Sequence, residues 1–406
     1  MRLSDLGPLI RLRRPEPDAR RRNARSCHNV TDFRALARRR LPRAVFDYID
    51  GGADRESGMA ANSAAFERHE LLPRVLRDVS RVSTSTTLLG APARMPLGLA
   101  PTGFTRMFHH EGEHAVARAA AAADVPYALS TMGTVCVEDL AAHEDADLWF
   151  QLYIWRDRGL TTDLVDRAAE AGYRVLVITV DTPVTGMRER DLRSGFTIPP
   201  TMGPATLVDL ARRPGWWLPF LASEPITFAN VPPHLLRGTE SAMAFAARQF
   251  DPSVTWEDIA PIAARWPGPV LLKGVLRSDD ALRARDMGLA GVVLSNHGGR
   301  QLDRTVTPLD ALPGVRAAVG PAFTVLVDSG VRHGSDVALA IALGADAALI
   351  GRPYLYALAA AGDLGVARLI ALLEGQLRRT MQLLGVTSVE ELRRHGGELV
   401  SSRPTD

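Results

Sequence analysis

Gly291–Asp303, GVVLSNHGGRQLD, changes character halfway along its length. Gly291-Val292-Val293-Leu294 is a short apolar, β-branched run, the composition of a strand buried on both faces of a parallel sheet. Ser295, Asn296, His297, the pair Gly298-Gly299, Arg300, Gln301 and Asp303 follow at once, where that strand has to end. A glycine pair lets the chain turn tightly and lets a ligand approach the backbone. A histidine and an arginine three residues apart at a strand's end can serve one substrate. The imidazole takes a proton and the guanidinium grips a carboxylate. The plainer alternative is a polar loop whose histidine only caps a neighbouring element.

The same pattern recurs outward from this stretch. From Met95 onward, apolar strands alternate with alanine- and charge-rich helices in eight rounds. The predicted strands are Leu97–Ala100, Tyr127–Ser130, Trp149–Tyr153, Val175–Val180, Val270–Lys273, Val292–Ser295, Thr324–Val327 and Ala347–Ile350. Helices are predicted to begin near Glu111, Val137, Leu160, Asp258, Ser278, Pro308, Ser335 and Gly365. Strict β-then-α alternation calls for a parallel sheet. Eight units predict an α/β fold of the (β/α)8 TIM-barrel type, although pattern alone leaves an open sheet available. A short extra segment, Pro353–Ala360, is expected before the last long helix.

An N-terminal helical extension precedes the barrel. Residues 1–30 form a basic arm (Arg11, Arg13, Arg14, Arg20, Arg21, Arg22, Arg25), read as solvated or as attracted to anionic lipid. Thr31 is the expected N-cap of a helix through Arg40. Pro42 opens a second helix that carries Tyr48 and stops at Gly51-Gly52. Residues 57–67 read as a third helix, and 71–90 as irregular or short-stranded. The barrel domain is taken as 31–391, with 392–406 as a C-terminal tail.

The connection after strand four, 184–257, is a long insertion. Within it, Arg212–Leu221 reads RRPGWWLPFL. This is either a peripheral membrane contact, with arginines at headgroups and tryptophans at the interface, or aromatic surface packed on the barrel or a neighbouring subunit.

At 46% apolar and 23% charged, the 406-residue chain has the composition of an ordinary globular protein. Its net charge of +2 gives no reason to expect a nucleic-acid partner. Two cysteines, Cys27 and Cys136, are too few for a disulfide framework, which fits a cytoplasmic location. No apolar run reaches the ~18 residues of a spanning helix. The N-terminus does not read as a secretory leader, and no metal site is expected.

Barrels of this kind carry their chemistry at the C-terminal ends of the strands. Strand one ends in Pro101-Thr102-Gly103, strand two in Ser130-Thr131, and strand three carries Gln151 and Tyr153. Strand four ends in Thr179 and Asp181 with Arg188 beyond, and strand five ends in Lys273. Strand six supplies Ser295, His297 and Arg300; strand seven Asp328, Gly330 and Arg332; strand eight Gly351-Arg352. Any one of these could be structural, as a strand-end aspartate often caps a helix, but all eight strands end in usable polar groups. The last two ends suit a phosphate, with glycines for close backbone approach and two arginines for charge.

From about Thr31 to Glu391 the chain resembles the FMN-dependent α-hydroxy acid dehydrogenases and oxidases, most nearly the bacterial flavin L-lactate dehydrogenases. The likeness rests on FDYIDGGA, APTGF, FQLYIWRDR, VDTP with Arg188, LKGV, SNHGGRQLD, VDSGVR and IGRPYLY, in that order. The resemblance implies FMN as cofactor and His297 as general base. It makes Arg188 and Arg300 the partners of the substrate carboxylate, with Tyr48 hydrogen-bonding it. Tyr153 would stand near the substrate hydroxyl, and Asp181 would pair with the histidine. Lys273 would lie beside flavin N1 and O2. Ser130, Gln151, Thr179 and Ser295 would contact the ring and ribityl chain, and Arg332, Gly351 and Arg352 the phosphate. Pro101, Thr102, Gly103, Asp328 and Gly330 fall with the cofactor residues.

Four positions depart from commoner versions of the family. Met132 stands where tryptophan is frequent, Gly103 where alanine is, Met187 where arginine is, and Ser329 where glycine is. The first two argue against strict glycolate specificity. L-lactate is the expected substrate, with larger 2-hydroxy acids open. Quinone or another carrier is the expected acceptor. An O2-using oxidase or an FMN barrel enzyme of a biosynthetic pathway is the alternative, and a silent flavin binder a third. Relatives suggest a homo-oligomer, a tetramer, in the cytoplasm or on the inner face of the membrane.

Overall fold

The computed structural model describes residues 16–195, 203–223, 225–231, 245 and 248–402. Eight parallel strands close into a barrel in chain order: Leu97–Leu99, Tyr127–Ser130, Leu148–Tyr153, Val175–Thr179, Val270–Val275, Gly291–Leu294, Thr324–Val327 and Ala347–Ile350. They are called strands one to eight below. The (β/α)8 expectation therefore holds, with strand ends within two residues of those read from the sequence. The pleat sorts each strand's side chains into two sets. Trp149, Val177, Leu271, Val293, Leu326 and Leu349 form the inner core, which Leu88 and Ala93 of the hairpin Thr86–Leu88/Ala91–Ala93 close from one end. Phe150, Leu152, Leu176, Ile178, Leu272, Val292 and Leu294 belong instead to the outer core, shared with the helices.

Strand five carries the one register break in its pairing with strand six, between Lys273 and Val275. Gly274 makes the break at φ +105°, and a Cβ there would lie 2.6 Å from the Cβ of Asp181. Glycine is required because strand four's end passes so close.

Several expectations for the extension are corrected. The first helix after the arm spans Val30–Arg40, and its cap is Asn29, whose side chain accepts the Asp32 N–H at 2.8 Å, not Thr31. Val30 is drawn into the core, so the helix starts two residues earlier than a Thr31 cap would set it. The arm itself is not wholly a solvated tail: Ala19–Ser26 is a helix with Ala24 buried. The reason lies in the stretch Arg352–Leu384, where non-helical φ/ψ at Ala361 and Gly362 break the helix and set off the short segment expected before the last long helix. The kink leaves carbonyls without helical partners, and such groups need others. Arg40 Nε donates to Ala359 O at 2.9 Å, Asn23 Nδ2 to Ala360 O at 3.1 Å and Arg20 Nε to Ala361 O at 3.3 Å. Arg11, Arg13 and Arg14 lie outside the described residues. At the other end, Val400–Ser402 pairs antiparallel with His69–Leu71, so the tail is tied to the extension.

The same stretch, Arg352–Leu384, leaves the expectation about apolar runs standing, since Asp363, Arg368 and Glu374 interrupt it. By length and composition it could cross a membrane, but 67% of its apolar window is buried inside the protein. It is a core helix. The insertion contains the helices Glu189–Ser194, Pro204–Ala211 and Pro214–Trp217 and a 3-10 turn Leu218–Ala222. Its apolar residues divide between the two readings: Trp216 Nε1 donates to Met107 O at 2.8 Å and its ring meets Phe220, while the aliphatic Leu207, Val208, Leu218 and Leu221 stand exposed.

Candidate active site

A cavity of ≈270 Å³ opens at the C-terminal mouth of the barrel. Its wall includes Tyr48, Pro101, Thr102, Gly103, Ser130, Tyr153, Arg188, Lys273, His297, Arg300, Asp328, Gly330, Arg332, Gly351 and Arg352. The remaining residues singled out from the sequence sit one step behind this wall. Gln151 accepts from Ser130 Oγ at 2.8 Å and donates to Thr179 Oγ1 at 3.0 Å. Ser295 Oγ accepts from Lys273 Nζ at 2.8 Å and donates to Asp328 at 2.9 Å. Asp181 faces His297 Nδ1 with both oxygens, at 3.1 and 3.2 Å.

The local sequence explains the histidine's pose. His297, Gly298 and Gly299 all take positive φ, 59°, 68° and 73°, so the chain doubles back as soon as strand six ends. Glycine is the default in this region, and histidine is among the few others that enter it. At Gly299 a Cβ would lie 2.6 Å from the Met59 backbone, so this turn also admits the helix Ser57–Glu67. That helix is hooked on by a reciprocal amide pair, Asn62 with Asn296, at 2.7 and 2.8 Å.

Charge is distributed unevenly around the cavity. Burial would raise the Asp181 carboxyl, but His297 and Lys273 outweigh it and hold it below its ordinary value. Burial likewise pushes Lys273 down, and Asp328 at 3.1 Å, with Asp181, more than restores it. Both groups therefore stay ionised around neutrality. Arg300 is different: burial, reinforced by Arg188, lowers it to about 10. The two guanidiniums face one aromatic ring, Arg300 at 4.9 Å and Arg188 at 5.7 Å from the Tyr48 centroid. Arg300 donates to the carbonyls of Tyr48 and Gly51, and Arg188 has Asp191 at 3.7 Å. An anion entering here meets two cations with weak competition.

A second cationic pair lines the other end. Burial depresses both Arg332 and Arg352. Arg332 Nη1 donates to Val331 O, and Arg352 to the carbonyls of Ile49, Gly51 and Gly298. Among the described residues neither has a carboxylate partner. A Cβ at Gly351 would meet nothing closer than 3.7 Å, so space remains before it. Buried guanidiniums without counter-ions beside open backbone suit a phosphate. Gly330, also in the cavity wall, has a further reason to be glycine: a Cβ would lie 2.1 Å from Asn62 O, so helix packing forbids a side chain there. With Lys273 in its wall, the cavity would suit FMN, with Arg332 and Arg352 at its phosphate and Lys273 and Ser130 at its ring.

Sequence reasoning missed several contributors. Phe104, Phe108 and Phe250 form apolar wall, and Phe250 meets the Tyr153 ring at 5.4 Å. Phe104 lies within the APTGF motif, but Phe250 lies inside the insertion, where no local pattern marks it. Gln301 was quoted without a role; its amide donates to the carbonyls of Asp181 and Val184 and accepts from Gly186 N–H, tying the strand-four loop down. Asp50 gathers Arg34, Arg190 and Tyr356 and anchors the helix that carries Tyr48. Met132 and Gly103 do adjoin: a Cβ at 103 would lie 2.9 Å from that of Met132. Met187 is exposed outside the wall.

Comparison with known proteins gives a consistent result. The family model described as FMN-dependent dehydrogenase matches residues 37–398. An L-lactate dehydrogenase of Caulobacter sp. is 47% identical over 369 residues, covering 90% of this chain and 97% of the relative. An L-lactate oxidase of Nostoc sp. is 42% identical over 368 residues, covering 90% and 96%. Among solved structures, a monotopic membrane (S)-mandelate dehydrogenase superposes with a TM-score of 0.88 at 39% identity, covering 93% of this chain and 99% of the other. A mandelate oxidase solved with (S)-mandelic acid gives 0.78 at 40% identity, covering 91% and 97%.

Proposed function

Because the chain belongs to the FMN-dependent dehydrogenase family, we propose that it oxidises an L-2-hydroxy acid, L-lactate foremost, to the 2-oxo acid and hands the electrons to a quinone or similar carrier. The observation that carries this is the convergence, in one cavity, of a carboxylate-held histidine, two arginines facing one tyrosine, and a buried lysine.

Each group has one task. Arg188 and Arg300 hold the substrate carboxylate, and the Tyr48 hydroxyl adds a third contact. Tyr153 stands by the hydroxyl-bearing carbon; burial raises its own phenol, so it remains a neutral hydrogen-bond donor. His297 takes the hydroxyl proton at Nε2, since Nδ1 is engaged by Asp181. Asp181 then faces an imidazolium and stabilises it. FMN, when bound, supplies the sink for the α-hydrogen's electron pair. Lys273 puts positive charge where that pair arrives.

The finer points rest on further features. The exposed Leu207, Val208, Leu218 and Leu221 beside Arg212 support a peripheral contact with the inner membrane face, and hence a membrane-borne acceptor. The monotopic relative supports the same reading. A second apolar set, Leu72, Val75, Leu76 and Leu383, supports assembly as a homo-oligomer, which we take as a tetramer. Two free cysteines fit the cytoplasm. An O2-using oxidase is the second reading, favoured by the lactate and mandelate oxidases among the relatives.

An anaerobic titration tests the proposal. L-lactate should bleach the oxidised flavin band and D-lactate should not. A flavin left oxidised by L-lactate, mandelate and longer L-2-hydroxy acids would refute it. Stoichiometric peroxide on admitting air would transfer the acceptor role to O2.

A further inference from the structure

Ser329, directly after strand seven, holds φ +69°. A side chain crowds the backbone in this region, so a non-glycine residue persists there only where other contacts over-determine it. The hydroxyl makes two such contacts. Ser329 Oγ donates to Asp328 Oδ1 at 2.6 Å and accepts the Gly298 N–H at 3.0 Å. Ser295, after strand six, has the matching arrangement. Its Oγ donates to Asp328 Oδ2 at 2.9 Å and accepts the His297 N–H at 3.0 Å. Two serines thus bracket one carboxylate, and each takes one of two successive amides of the turn that presents His297. Lys273 Nζ completes the group, 2.8 Å from Ser295 Oγ and 3.1 Å from Asp328 Oδ2.

We propose that Ser329 is a positioning residue that couples the Lys273–Asp328 pair to the seat of His297. Donation to Asp328 draws negative charge away from the lysine, which leaves more of the cation's field directed into the cavity. Acceptance from Gly298 fixes the second amide of the turn, so the imidazole meets Asp181 in one pose. The backbone cost of serine at this φ is offset by these two bonds. A serine that merely filled space would gain nothing from the left-handed conformation, and glycine would serve better there.

The inference rests on the reading of the site as an FMN-dependent hydroxy acid oxidoreductase, and its test separates the two. Holoenzyme carrying Ser329→Gly loses the hydroxyl and the strain; Ser329→Ala loses the hydroxyl and keeps the strain. Two readouts are followed. One is the rate constant for flavin reduction by L-lactate. The other is the affinity for sulfite, whose adduct with an oxidised flavin places negative charge on the ring and so reports the field of Lys273. Both variants are expected to reduce flavin about tenfold more slowly with KM within about twofold, and to bind sulfite about threefold more weakly. The glycine variant should melt no lower than the alanine one. Wild-type values for either readout in Ser329→Gly would overturn the coupling. A wild-type protein that binds sulfite but is reduced by no 2-hydroxy acid would instead overturn the proposed function, and the sulfite comparison would still decide whether Ser329 governs Lys273.

Discussion

Asp181→Asn is the substitution whose effect follows most directly from the geometry. Asparagine keeps the shape and can still accept from His297 Nδ1, but it removes the negative charge that lies 3.1 and 3.2 Å from that nitrogen. Two unit charges about 3 Å apart attract by roughly 5 kcal/mol at an effective dielectric of about 20. Part of this is lost in any real site, because Lys273 already competes for the same carboxylate. A net penalty of about 2–3 kcal/mol on the imidazolium remains, equivalent to about 30- to 150-fold in rate. The penalty falls on the proton-transfer step and spares binding, since Arg188, Arg300 and Tyr48 are untouched. Anaerobic stopped-flow reduction of the flavin by L-lactate should therefore slow by that factor, with the substrate Kd changed by less than about threefold. A variant reduced within about threefold of the wild-type rate would refute the role given to Asp181.

Three further outcomes are expected. Gly103→Ala places a methyl 2.9 Å from the Met132 Cβ in the cavity wall, so it should raise KM for mandelate about tenfold and change L-lactate kinetics much less, as overpacking by ~1–2 kcal/mol would; equal effects on both substrates would contradict this. Arg332→Met removes a buried cation that has no carboxylate partner among the described residues; FMN release measured by fluorescence should show affinity weakened by at least about tenfold, with melting of the apoprotein unchanged or raised. For Asp50, burial opposes ionisation but Arg34, Tyr356 and Arg190 outweigh it, so its folded value lies below its unfolded one. Its stabilisation is complete above the unfolded value and is lost as pH falls through the folded one, so Tm should decline below about pH 4, and Asp50→Asn should flatten that decline while lowering Tm at pH 7. An acid branch as steep in the variant as in the wild type would remove Asp50 from the account.

What could be read in the chain beforehand was whatever is written locally. Barrel strands show as apolar runs because both faces are buried, and the polar residues at their ends are adjacent in sequence to those runs. His297, Lys273, Asp328 and Arg352 could all be placed this way. What escaped depends on contacts between distant segments. The helix Ala19–Ser26 docks because Arg20 and Asn23 meet carbonyls of a kink more than 330 residues away. Asn62 reaches Asn296, and Phe250 reaches Tyr153, across separations that no periodicity spans. Gly330 could be placed at the cavity from its position, but the Asn62 carbonyl that also excludes a side chain there could not be read from the sequence. Ser329 read as a departure from the family pattern, and only its φ and its two partners give it a purpose.

The proposed reaction depends above all on His297 as the base that removes the substrate's hydroxyl proton, in a cavity suited to FMN and a carboxylate. Its most direct test is His297→Ala holoenzyme mixed anaerobically with L-lactate. The expected result is a normal oxidised flavin spectrum, L-lactate still bound, and flavin reduction slowed by at least about a thousandfold. Full-speed reduction in that variant would contradict the mechanism outright.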